Sequence, residues 1–129
     1  MSGFNGLTVD GPSGPRWELA LSLIESGEAP VKLGPAELCR WTSGPNADHA
    51  IHISVDVGQE VTSEVALESV RQAKVVIGGA AASDSRFADL LGKHVCRWEV
   101  VHNYGMGAVL LAVVDDHGNI VWQPGSQPD

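Results

Sequence analysis

Apolar residues recur along the chain at two spacings, which change at glycine- and proline-rich turns. Residues 15–26, 62–75 and 84–92 carry apolar side chains at intervals of three and four, which is typical of helices with one buried face. Gly27 follows the first pattern directly and suits the end of a helix. The sequence therefore predicts two long helices and a shorter third one.

The end of the second helix is ambiguous. Residues 74–77 read Lys-Val-Val-Ile, which can extend the helix or form a short strand parallel to an earlier one. A crossover helix of about ten residues is near the lower limit for that parallel arrangement, so we favour a continuous helix. Gly78 and Gly79 come next, and we expect a flexible loop from there to residue 83.

Strand patterns cover residues 51–57 and 96–100, where apolar and polar side chains alternate. Residues 108–114 are apolar throughout, which predicts a central strand covered on both faces. Residues 120–122 form the last apolar run, after a turn typical of a hairpin. The residues expected to form the core against the first helix are Val109, Leu111, Val113 and Trp98.

These elements predict one α+β domain over residues 1–129, with a mostly antiparallel sheet of about four strands packed against two or three helices. We expect residues 1–14 to be a flexible arm or an edge strand, and residues 124–129 to be a tail. Leu-Cys-Arg-Trp at 38–41 is echoed by Val-Cys-Arg-Trp at 95–98. The echo fits either a duplicated half or two unrelated strands.

Composition narrows the class of protein. Hydrophobic residues make up 43% of the chain, which excludes an extended disordered chain. The net charge of −8 argues against a nucleic-acid partner. The longest apolar run is too short to cross a bilayer, so we expect no membrane partner. The start of the chain lacks the basic and apolar segments of a secretion signal, which favours a cytoplasmic protein.

The potential metal ligands do not form a recognised pattern. Cys39 and Cys96 are the only cysteines, and in a cytoplasmic protein we expect both to be reduced. No spacing of histidines and cysteines matches a structural zinc site. We therefore expect neither a metal nor another cofactor.

One strand carries a polar face. His52, Ser54 and Asp56 alternate with apolar residues, so their side chains share one side of the strand. A catalytic triad needs its nucleophile within hydrogen-bonding reach of the base. Side chains two residues apart on one strand project in parallel, about 6–7 Å apart, so we interpret this set as a solvated face and only weakly as a catalytic group.

The loop between the two longest strand patterns is the stronger candidate for binding. Residues 102–107, the hairpin tip, read His-Asn-Tyr-Gly-Met-Gly. His102, Tyr104 and Met106 offer adaptable contact area, although the same residues also suit an ordinary hairpin turn. Trp41 and Trp122 lie next to turns or chain ends, where an exposed indole favours an interface.

Together these features favour a small acidic, non-enzymatic binding or assembly protein: an accessory subunit, an inhibitor or an immunity-type partner. Its own partner would be another protein or a second copy of the chain. The alternatives are a small enzyme that uses His102 as a base, with Asn103, Tyr104 or Asp115 nearby, and a sensor domain for a small ligand. We expect the hairpin tip, rather than the face of His52, to contact the partner.

Overall fold

The computed structural model describes residues 6–58 and 62–124. Residues 1–5 of the expected arm and residues 125–129 of the expected tail therefore lie outside the described residues. The helices are α1 (Gly14–Ser26), α2 (Ser63–Ser83) and α3 (Ser85–Lys93). The strands are β1 (Leu7–Val9), β2 (Val31–Leu33), β3 (Ala36–Arg40), β4 (Ile51–Asp56), β5 (Cys96–Asn103), β6 (Ala108–Val114) and β7 (Ile120–Trp122).

The sheet has seven strands in chain order, so the expectation of about four strands is wrong. It is also mixed, because β1–β2 and β4–β5 are parallel and the other pairs are antiparallel. The strands beyond the four predicted are β1, β2 and β3, of which β1 lies in the segment expected to be an arm or an edge strand. β1 and β2 have three residues each, too few to show an alternating pattern in the sequence. Gly34 and Pro35 form the turn between β2 and β3.

All three helices lie on one side of this sheet. Each parallel pair is joined by a helical crossover, through α1 between β1 and β2 and through α2 and α3 between β4 and β5. Both crossovers step in the same direction along the sheet, so their right-handed connections place the helices on the same face. The core lies in this layer and includes Trp17, Ile53, Val70, Phe87 and Val100.

The second helix confirms the prediction that residues 74–77 are helical and contradicts the prediction of a flexible loop after them. α2 continues through Gly78 and Gly79 to Ser83, where we expected a flexible loop. Ile77 and Ala80 are buried on the core side of this extension. Packing against the sheet therefore outweighs the low helix propensity of two glycines.

The structure also corrects the expected role of β6. This strand lies next to the edge strand β7 rather than at the centre of the sheet, and it packs on α2 rather than on α1. Its buried residues are Ala112 and Val114, whereas Val109 is 45% exposed. A register shift opposite Val100 and Val101 reverses the sidedness of the strand at Leu111, because an extra residue breaks the period of two.

The two Cys-Arg-Trp segments occupy different structural positions. Cys39 pairs with His52 on the face of the sheet away from the helices, whereas Cys96 pairs with Ile51 on the helix side. The chain does repeat one topology, since β1–α1–β2–β3 and β4–α2–α3–β5–β6 pair in the same order. The sequence echo is out of phase with that repeat.

None of the helices within the described residues is both long enough and apolar enough to cross a membrane.

Candidate functional site

The face of the sheet away from the helices carries a polar concavity of about 420 Å³. Cross-strand pairing explains why polar side chains gather there: Glu37 pairs with Ser54, which in turn pairs with Glu99. Residues directly opposite each other point to the same face. The charged residues that line the concavity are Lys32, Glu37, Asp48, His52, Asp56, Arg97 and Glu99.

The connection between β3 and β4, residues 41–50, closes one end of the concavity. We call this segment the β3–β4 loop. The backbone N–H of His49 donates to the carbonyl oxygen of Trp41 at 3.2 Å and so closes the loop at its base. The backbone N–H of Ala50 donates to Asp48 Oδ1 at 3.0 Å. These two bonds place the carboxylate of Asp48 above the sheet.

His52 is the centre of the polar network. Its Nε2 lies 2.9 Å from Asp48 Oδ1 and its Nδ1 lies 3.0 Å from Glu99 Oε2. Ser54 Oγ donates to Glu99 Oε1 at 3.1 Å. Arg97 Nε lies 2.9 Å from Glu99 Oε2, an ion-pair distance, but its N–H is not aligned for a hydrogen bond. The carboxylates of Asp48 and Glu99 thus have one guanidinium and one imidazole as their partners.

Both ring nitrogens of His52 face carboxylate oxygens, so only the protonated imidazolium can donate to both. The hydrogen bond with Glu99 raises the pKa of His52, and the bond with Asp48 adds to this effect, although burial opposes both. Burial alone would raise the pKa of Asp48, but its hydrogen bonds with His52 and with the Ala50 amide lower it overall. The arrangement therefore stabilises a charged histidine.

The same face holds two groups that favour their neutral forms. Burial raises the pKa of the Cys39 thiol to about 11, with the charges of Glu37 and Glu99 adding to the effect. Burial also raises the pKa of Glu37, against the opposing influence of Lys32. Cys39 is consequently a thiol rather than a reactive thiolate near neutral pH.

This geometry differs from that of a Ser-His-acid triad. In such a triad the serine hydroxyl donates to the histidine, which then acts as a base. Here the hydroxyl of Ser54 donates to Glu99, and His52 holds its proton between two acids. The arrangement can organise charge on the sheet, but it supplies no activated nucleophile at Ser54.

The structure brings the three polar residues of β4 together with residues that the sequence analysis missed. His52, Ser54 and Asp56 all line the concavity, and Asp56 Oδ1 accepts from the backbone N–H of Gly58 at 3.1 Å. The missed residues are Asp48, Arg97 and Glu99. The alternation in residues 96–100 indicated that Arg97 and Glu99 share a face, but only the strand register shows that this face adjoins His52.

The residues considered for a histidine-dependent enzyme are spread along β5 and β6. His102 pairs with Val109, whereas Asp115 follows the other end of β6, about 20 Å away at the usual rise per residue. Asp115 Oδ1 accepts backbone N–H groups of the β6–β7 turn, from His117 and Asn119, both at 2.9 Å. His102 Nδ1 is buried and has no hydrogen-bond partner among the described residues.

The hairpin tip adjoins the concavity. Asn103 and Ala108, at the base of the tip, line the concavity. Tyr104 and Met106 lie beyond them and are 55% and 92% exposed. The rings of His102 and Tyr104 are 6.2 Å apart between centroids. The tip therefore stands at the rim of the same face that carries His52.

The two candidate tryptophans are each 40% exposed. Trp41 lines the concavity at the end closed by the β3–β4 loop. Trp122 lies on the edge strand β7, opposite Val113. Trp41 and the hairpin tip thus both border the concavity.

Both cysteines are free thiols. Within residues 6–58 and 62–124, no group of three or more histidine, cysteine or acidic side chains is arranged to hold a metal ion.

Comparison of the chain with models of protein families, with curated proteins and with solved structures gives no match.

Proposed function

We propose that this protein is a non-enzymatic binding protein, and that its partner is another protein that covers the concave face of the sheet and the adjoining hairpin tip. One observation carries the proposal. The polar side chains of the concavity bind one another, with His52 held between Asp48 and Glu99. They form a pre-organised surface rather than a nucleophile beside a free base.

The borders of the concavity supply contact area of the kind that interfaces use. Trp41 lies at one end, while Tyr104 and Met106 extend from another part of the rim. Tryptophan and tyrosine are enriched among residues that dominate binding energy, and methionine adapts to a partner's shape. Exposed aromatic and apolar residues at two parts of the rim, beside a charged centre, support a protein partner.

Affinity capture from the source lysate tests the proposal. The baits are the wild-type protein, a Trp41→Ala/Tyr104→Ala variant, and Val75→Ala as a matched control, because Val75 is a 73% exposed apolar residue on α2 in the helix layer. A captured protein is identified by mass spectrometry, purified, and titrated against each bait by calorimetry. We expect the wild type and Val75→Ala to bind it, and the double variant to lose most of the affinity.

Two outcomes would contradict the proposal. Equal binding by all three baits would place the interface elsewhere. Native mass spectrometry that finds a small molecule instead of a protein on the wild type would favour the ligand-sensor or enzyme alternatives.

A further inference from the structure

The β3–β4 loop is tied to the sheet by one side-chain contact. Within the described residues, the hydrogen bond from His52 Nε2 to Asp48 Oδ1 is the one that connects residues 42–48 to a strand. The other bonds of the segment are internal, such as that from the Ala47 amide to the Gly44 carbonyl at 3.2 Å. Breaking the contact between Asp48 and His52 would leave these residues with no hydrogen bond to a strand among those described.

Backbone strain lies beside this contact. His49 has φ of 61°, and it is the one residue other than glycine with a positive φ among those described. Residues with a side chain occupy this left-handed region when their surroundings hold them there. The strained residue directly follows Asp48, so a change of backbone conformation at His49 would move Asp48 relative to the sheet.

The two carboxylates that hold His52 are unequal. A neutral imidazole has one N–H and can donate to only one of them. Glu99 also accepts from Ser54 and lies beside Arg97, and its side chain is 12% exposed. The side chain of Asp48 is 43% exposed and can turn to water. When His52 loses a proton, its remaining N–H stays on Nδ1 and donates to Glu99. The unprotonated Nε2 of His52 then faces Asp48.

We propose that the β3–β4 loop is a pH-sensitive wall of the concave face, latched by protonated His52 to Asp48 and released when His52 becomes neutral. This inference concerns regulation of the face on which the proposed function rests. In the latched form, Pro45, Asn46 and Asp48 of the loop form one wall of the concavity. The latched form is therefore the one that presents the complete face to a partner.

The surroundings of His52 set the direction of the switch. The titratable and charged groups that share its face come from β2, β3, β4 itself, β5 and the loop, and they are Lys32, Glu37, Cys39, Asp48, Asp56, Arg97 and Glu99. The four acidic groups outnumber the two cations, Lys32 and Arg97. Accordingly the pKa of His52 is raised, chiefly by its bond with Glu99, and the latch opens on the alkaline side of the usual histidine range.

Backbone ¹⁵N relaxation of the protein alone tests the latch. Order parameters for the amides of residues 43, 44 and 46–48 are measured at about pH 5.5 and about pH 8.5, on either side of the usual histidine pKa of about 6.5. The ring shifts of His52 report its own titration. In the wild type we expect the order parameters to fall from about 0.85 to below about 0.6 as His52 loses its proton. Asp48→Asn should be mobile at both pH values, and His117→Gln should behave as the wild type.

Order parameters that stay constant through the titration of His52 would overturn the latch. The same pH response in Asp48→Asn would also overturn it, because that variant lacks the carboxylate that His52⁺ holds. Asp48 lies in a loop and is partly exposed, so its variant gives a result even if substitution of His52 prevents folding. No partner is present in this experiment, so its failure is distinct from failure of the proposed binding function.

Discussion

His52 shows how a buried charge is stabilised on an otherwise open sheet face. Its side chain is only 5% exposed, and moving an isolated charge out of water is costly. Carboxylates on both sides, from Asp48 and Glu99, offset that cost. Arg97 in turn balances the second carboxylate. The four side chains therefore form a network in which removal of one leaves others unpaired.

The network predicts a specific dependence of stability on pH. The pKa of His52 is higher in the folded protein than its ordinary value of 6.5, so the folded state binds the proton more tightly. Its contribution to the free energy of unfolding is complete below the unfolded pKa and is lost as the pH rises through the folded pKa. Urea unfolding should therefore show lower stability at about pH 8.5 than at about pH 6.

His52→Gln should remove most of that difference and lower stability at about pH 6 by roughly 1–3 kcal/mol, since the carboxylates lose a charged donor. Glu99→Gln is the companion variant. It should shift the titration of His52, followed by NMR, to lower pH. An unchanged His52 titration in Glu99→Gln would show that the two side chains are not coupled.

Gly27 illustrates a different constraint on a single residue. It ends α1 with φ of 72°, and a Cβ atom there would lie 2.3 Å from the carbonyl oxygen of Arg40. Gly44 has φ of 85° but open space around it. Gly44→Ala should thus cost about 1 kcal/mol for its left-handed backbone, and Gly27→Ala clearly more, on the order of 2–4 kcal/mol. Chemical denaturation compares them directly, and equal losses would contradict the close packing of α1 on β3.

At the scale of elements, β6 shows where a sequence pattern is insufficient. Seven consecutive apolar residues carry no alternation, so nothing in the sequence indicates which of them face the helices. The shift in register at Val100 and Val101 decides this. Val114 is buried at 2% exposure, whereas Val109, near the hairpin tip, is 45% exposed.

The same substitution at two positions of β6 tests this assignment. Val114→Ala removes buried methyl groups and should lower the free energy of unfolding by roughly 2 kcal/mol. Val109→Ala should cost below about 0.5 kcal/mol, as surface substitutions commonly do. Urea denaturation measures both. A larger loss at Val109 would mean that the strand is shifted relative to β5.

The long helices were predictable because their apolar stripes extend over several turns. α1 ends at the residue before Gly27, and α2 begins after Thr62, whose side chain accepts from the backbone N–H of Val65. Among the three-residue strands, β7 was predicted, β1 was expected only as a possible edge strand, and β2 was not predicted. β1 and β2 pair in parallel with each other and α1 packs on both. The pairing of Leu7 with Val31 joins residues on either side of α1, which a local pattern does not indicate.

The candidate site was predictable only in part, for a similar reason. Alternation within β4 places His52, Ser54 and Asp56 on one face. His52 and Ser54 both bind Glu99 of β5, which is 45 or more residues away along the chain. The other partner of His52, Asp48, lies in the preceding loop. Strand order and register determine that meeting, and a single sequence carries no direct signal of either.

At the scale of the whole molecule, the repeated units β1–α1–β2–β3 and β4–α2–α3–β5–β6 share one sheet. Their helices also contact each other. Trp17 Nε1 of α1 donates to Asp84 Oδ2 at 2.7 Å, and Asp84 is the residue between α2 and α3. The ring of Trp17 also meets Phe87 of α3 edge to face, with centroids 5.3 Å apart. Buried side chains thus continue from one unit into the other without an intervening polar layer.

This continuity predicts that the two units unfold together. Native-state hydrogen exchange in increasing urea should give one free energy of opening for the slowest amides of β3 and of β5, because a continuous core opens as one unit. Trp17→Phe retains an aromatic ring against Phe87 but removes the donor to Asp84. We expect it to lower the protection of both strands by the same amount. If only β3 loses protection while β5 keeps that of the wild type, the units are separate folding units and the contact between α1 and α3 does not couple them.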